Sequence, residues 1–112
     1  MSDSFERACA LADLPDEGVL ATEVGGVEVA VVKSAGQVFA VRDECSHAQI
    51  QLSEGDVGNC EIECWLHGSR FDLRTGEPTG LPATEPVPVY PVEVRDGDLY
   101  VDLNPSNGVT PS

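Results

Sequence analysis

Val19-Leu20-Ala21-Thr22-Glu23-Val24-Gly25-Gly26-Val27-Glu28-Val29-Ala30-Val31-Val32-Lys33 reads as two β-strands joined by a two-residue turn. The flanks are rich in β-branched residues, which suit a pleated surface. Gly25-Gly26 supplies the positive φ angles that a tight hairpin needs. Working outward, Ala35-Gly36 turns the chain again into Gln37–Arg42, and Asp96-Gly97 joins Val89–Arg95 to Asp98–Leu103. Phe5–Cys9 reads as a first strand, and Leu11–Gly18 as a break holding one helical turn that Pro15 ends. No stretch sustains a 3.6-residue apolar period, so almost no helix is expected. Short strands with a turn signal every ten residues or so describe an all-β sandwich or barrel.

The middle of the chain, residues 43–86, is different. It holds both histidines, the single tryptophan and three of the four cysteines. The decisive residues are Cys45-Ser46-His47 and Cys64-Trp65-Leu66-His67, with sixteen residues between the pairs. The first pair follows the strand ending at Arg42, and the second follows a strand read over Cys60–Cys64. A cysteine and a histidine one or two residues apart on a tight loop can aim both side chains at one centre. Two such loops at the ends of neighbouring strands supply four ligands. Cys9 and Cys60 have no histidine nearby and are expected to be inert buried thiols. Pro82, Pro86 and Pro88 make Leu81–Pro88 a loop or a sheet edge.

Two metal chemistries accept two cysteines and two histidines. Zinc fingers place the cysteines close together and the histidines close together, and the alternating order here does not match. A Rieske [2Fe–2S] centre puts two cysteines on one iron and two histidines on the other, which mixed pairs allow. A structural zinc module stays open as an alternative, separable by colour and by paramagnetism on reduction.

The chain closely resembles the Rieske ferredoxin family. The matching residues are Cys45-Ser46-His47, Leu52-Ser53-Glu54-Gly55, Cys64-Trp65-Leu66-His67-Gly68-Ser69-Arg70-Phe71-Asp72, Thr75-Gly76 and Pro82-Ala83. The resemblance implies a small antiparallel β-sandwich with a cluster-binding subdomain formed by two loops. It implies one [2Fe–2S] cluster on Cys45, His47, Cys64 and His67, with Gly68 and Ser69 beside it. It implies further a one-electron carrier, not an enzyme, taking electrons from a flavin-dependent reductase and giving them to a terminal non-haem iron oxygenase. Another acceptor, such as iron–sulfur assembly machinery, is the alternative, because the run Gly68–Asp72 resembles members of that kind as much. Trp65 and Leu66 are either core residues or an apolar docking rim. High-potential members carry a disulfide between the loops and a tyrosine reaching a ligand sulfur. Ile50, Leu66 and Phe71 stand at those positions, so a reduction potential in the lower half of the range of about −150 to +300 mV is expected. Neutral imidazoles in place of two thiolates make the histidine-bound iron the one that accepts the electron.

Other classes fail on counting. An oxygenase needs a further set of two histidines and a carboxylate, and a hydrolase triad needs a free histidine. Both histidines are already used. A respiratory Rieske protein would need a membrane anchor. The small subunit of nitrite reductase shares the fold but often lacks the ligands.

Twenty acidic against six basic residues give a net charge of −14. That charge disfavours nucleic acid and anionic lipid as partners and suits basic docking patches on redox proteins. The first residues show neither a secretory signal nor a twin arginine, so a cytoplasmic protein is expected, as a monomer. A length of 112 residues suits one domain. We read it over 1–104, with a polar disordered tail at 105–112.

Overall fold

The computed structural model describes residues 5–44, 51–64, 68–80 and 85–103. Eleven strands occupy them: β1 (Phe5–Ala10), β2 (Gly18–Val24), β3 (Val27–Ser34), β4 (Gln37–Arg42), β5 (Asp56–Gly58), β6 (Glu61–Glu63), β7 (Arg70–Asp72), β8 (Pro78–Gly80), β9 (Val89–Tyr90), β10 (Val92–Arg95) and β11 (Asp98–Asp102). The helical content among the described residues is two 3₁₀ turns, Leu11–Asp13 and Leu52–Glu54. The first is the turn expected before Pro15.

The strands form three antiparallel sheets, ordered β1-β11-β10, β2-β3-β4-β9 and β5-β6-β7-β8. The quoted hairpin lies at the centre. Val24 pairs with Val27 across Gly25-Gly26, whose φ values are 54° and 85°. Ala35-Gly36 and Asp96-Gly97 also turn with positive φ, as their sequences anticipate.

β3 explains its own composition. Val29 and Val31 face one apolar cluster with Cys9, Leu14, Ala40, Leu99 and Val101. Ala30 and Val32 face another with Leu52, Ile62, Phe71, Leu73 and Val89. All four are fully buried. A central strand covered on both faces needs an unbroken apolar run rather than alternation, and the sequence provides one. The sheet of β2-β3-β4-β9 is thus the shared middle layer. One neighbouring sheet closes the base, and the other carries the loops of the candidate site.

Three expectations are corrected. Val89–Arg95 is not one strand, because Pro91 divides it. β9 pairs with β4 in the middle sheet, whereas β10 pairs with β11 in the base sheet. Pro91 has no N–H for a ladder, and its carbonyl accepts the N–H of Asp102 at 3.0 Å. Residues 43–86 are also more than loops, since β5 to β8 form a four-stranded sheet there. The strand read over Cys60–Cys64 is shorter, Glu61–Glu63. Asn59 and Cys60 form the turn before it, with φ of 53° and 60°. Cys60 is buried as expected, though from a turn and not from a strand face.

Candidate metal centre

The described residues that follow the first cysteine–histidine segment and those that precede the second meet at one end of the sheet β5-β6-β7-β8. β5 runs away from the first loop and β6 runs toward the second, and the register pairs Asp56 with Glu63 and Gly58 with Glu61. The start of β5 therefore lies beside the end of β6. The chain makes this approach tight at Gly55, where an added Cβ would stand 1.7 Å from the backbone oxygen of Glu63. Only a residue without a side chain allows the first loop to return against the strand that launches the second.

The second loop closes on itself. Cys64 N–H donates to the carbonyl of Ser69 at 2.6 Å, and Gly68 N–H donates to the carbonyl of Cys64 at 3.0 Å. Gly68 sits at φ 74°, a conformation that favours glycine, and the glycine is there for the turn. Below the loop, Ile62 faces Phe71 across β6 and β7, and both are fully buried. Phe71 packs in the core that Cys64 also joins.

The first loop is anchored on both sides. Arg42 N–H donates to the carbonyl of Pro88, and Asp43 N–H donates to that of Glu28, each at 3.0 Å. The chain returns at Gln51 into the 3₁₀ turn, where Leu52 is buried in the core.

Of the expected site residues, Cys64, Gly68 and Ser69 are described. Cys64 is 1% exposed and Ser69 is fully buried. Cys45, His47 and His67 lie outside the described residues, as do Ile50, Trp65, Leu66, the Pro82-Ala83 loop and the tail. The donor chemistry present fits an iron–sulfur group. A buried thiol stands at a strand end, in a loop tightened by backbone hydrogen bonds, beside the return of a second loop of the same composition.

Arg70 and Arg74, which follow the second segment, have defined partners. Arg70 lies 3.6 Å from Glu63 and 4.0 Å from Glu61 in exposed ion pairs. Arg74 Nη2 donates to Cys60 Sγ at 3.4 Å. The sequence reading missed Asp43, which is buried and whose partners Gln51 and Ser53 lie on the far side of the loop. Its place two residues before Cys45 was the available signal.

The Rieske [2Fe–2S] domain model matches residues 4–91. The 3-phenylpropionate/cinnamic acid dioxygenase ferredoxin subunit of Escherichia coli K12 is 39% identical over 97 residues, covering 86% of this chain and 91% of that protein. The ferredoxin of carbazole 1,9a-dioxygenase from Nocardioides aromaticivorans IC177 superposes with a TM-score of 0.83 at 40% identity, over 88% of this chain and 97% of that one. A chain from the complex of reduced oxygenase and oxidized ferredoxin in carbazole 1,9a-dioxygenase gives a TM-score of 0.82 at 34% identity, over 90% of this chain and 94% of that one. A match of this extent, along nearly the whole length of the chain, places it in the Rieske [2Fe–2S] domain family, as a ferredoxin-type electron carrier with one Rieske-type cluster.

Proposed function

We propose that this chain passes single electrons from a flavin-dependent reductase to the terminal non-haem iron oxygenase of a ring-hydroxylating dioxygenase system. In this reading Cys45 and Cys64 hold one iron, and His47 and His67 hold the other. The observation that supports it is the pairing of β5 with β6, which sets the chain returning from the first cysteine–histidine segment beside the strand that leads into the second. The likeness to two dioxygenase ferredoxins over almost their whole length supports the choice of system, and the carbazole complex joins such a ferredoxin to its oxygenase. When bound, the cluster supplies a one-electron couple between about −150 and +300 mV.

The chain's own residues do the rest. Gly55 lets the chain after the first segment approach the end of β6, and the backbone bonds of Cys64, Gly68 and Ser69 close the second segment at its two ends. Burial of Cys64 and Ser69 keeps water from the thiolate side. Nothing in this scheme needs a substrate pocket, in keeping with a carrier. We assign residues 1–104 to the domain and 105–112 to a tail, and take the carrier to be a cytoplasmic monomer.

Stopped-flow mixing tests the proposal. Holoprotein is mixed first with a reduced flavin-dependent ferredoxin reductase, then with a ring-hydroxylating oxygenase of the same organism. Reduction in the first mix and reoxidation in the second are expected, both within single turnovers. Reduction without transfer to the oxygenase, but with transfer to an iron–sulfur assembly protein, would move the assignment to that acceptor.

A further inference from the structure

Asp43 is 2% exposed, and both of its carboxylate oxygens are engaged. Oδ1 accepts the backbone N–H of Ser53 at 2.7 Å. Oδ2 accepts the Ser53 hydroxyl at 2.7 Å and Gln51 Nε2 at 3.3 Å. Both oxygens accept in this arrangement. These three donors are neutral, and they solvate the charge without cancelling it. A buried carboxylate is costly unless hydrogen-bonded, and among the described residues its side-chain partners are Gln51 and Ser53, which close one loop.

The position gives the arrangement its meaning. Asp43 stands just before residues 45–50, and Gln51 and Ser53 stand just after. One side chain therefore holds both ends of the segment that contains Cys45 and His47. Its own N–H is fixed to Glu28 of β3 at 3.0 Å, so the clamp is referred to the middle sheet. Leu52 between the two donors is buried in the core and prevents the returning chain from sliding.

We infer that Asp43 is a positioning residue for the metal centre. It ties together the two ends of the segment bearing Cys45 and His47, and as a negative charge two residues before Cys45 in the chain it holds the reduction potential down. This rests on Cys45 and His47 being ligands. A buried negative charge opposes the arrival of an electron nearby, and low surrounding dielectric weakens the screening. Partners that orient ligands from behind typically contribute 10–100-fold to metal retention.

The test uses holoprotein of the wild type and of Asp43→Asn, Asp43→Ala and Ser53→Ala. The measurements are the reduction potential, the paramagnetic spectrum of the reduced form, and iron release to a chelator. Asp43→Asn keeps an acceptor for Ser53 N–H and removes the charge. It should keep the wild-type spectrum and raise the potential. Asp43→Ala loses clamp and charge together, and should raise the potential and release iron roughly 10-fold faster. Ser53→Ala keeps the charge and one of the two Ser53 bonds, so it should speed release while moving the potential less. If Asp43→Ala assembles no cluster, the other two variants decide. An unchanged or lowered potential in Asp43→Asn, or wild-type iron release in Ser53→Ala, would overturn the inference. A wild type without a Rieske spectrum would overturn the ligand assignment and this inference together, whereas a normal wild type with unmoved variants overturns only this one.

Discussion

Ser34 is a fully buried serine with two duties. Its hydroxyl donates to Glu17 Oε2 at 2.7 Å and accepts the backbone N–H of Cys60 at 3.0 Å. Glu17 Oε1 also accepts the N–H of Ala35 at 2.6 Å. Glu17, Ala35 and Cys60 all sit at positive φ without being glycine, and one small network holds the three in that unfavourable region. The Ala35 N–H, and then the Ser34 hydroxyl, hold the Glu17 carboxyl below its ordinary value of 4.5. A lowered folded-state pKa gives stability that is complete above the unfolded value and is lost as pH falls through the folded value. Glu17→Gln should therefore lower the urea midpoint at about pH 6, with the gap to wild type closing as pH drops below about 4. A gap that stays constant across that range would show that the network does not depend on the charge. None of this was legible in the sequence, because Glu17, Ser34 and Cys60 are too far apart for any local pattern to join them. The cysteine–histidine pairs stand out in the sequence for the opposite reason: cysteine and histidine announce their chemistry by type and spacing.

Elements differ in the same way. The hairpins at Gly25-Gly26, Ala35-Gly36 and Asp96-Gly97 could be read directly, since a two-residue turn is a local event with its own residue preferences. The sheet β5-β6-β7-β8 could not. Its strands have three residues each, too few to show alternation, and its stability comes from contacts with the middle layer. Pro91 was visible, but its role in passing the chain between two sheets follows from pairing on both sides of it. Gly55 is the residue on which this sheet most depends. Gly55→Ala would drive a Cβ into the carbonyl of Glu63. Backbone cannot swing aside as a side chain does, so β5 must part from β6. A loss of about 1–3 kcal/mol or more is expected in chemical denaturation, together with poorer iron retention, since both loops hang from that pair of strands. Unchanged stability and iron content in Gly55→Ala would show that the close approach does not couple the loops.

On the scale of the whole molecule, shape and charge divide the work. The middle sheet buries both faces, leaving the base sheet and the loop-bearing sheet on opposite sides of a common wall. Among the described residues no helix is long and apolar enough to cross a membrane. A net charge of −14 acts at a distance, over a screening length of about 8 Å at physiological ionic strength. Transfer to a basic partner should then slow by about tenfold or more between low and high salt, as stopped-flow rates at varied ionic strength would reveal. A flat salt dependence would assign the acidity to solubility alone. The central claim is tested most directly by an anaerobic redox titration of the purified chain, with iron and acid-labile sulfide measured on the same sample. Two irons and two sulfides per chain, with a midpoint in the lower half of the span from about −150 to +300 mV, are predicted. A preparation without iron and sulfide, or a midpoint near the −400 mV or so of an all-cysteine cluster, would contradict it.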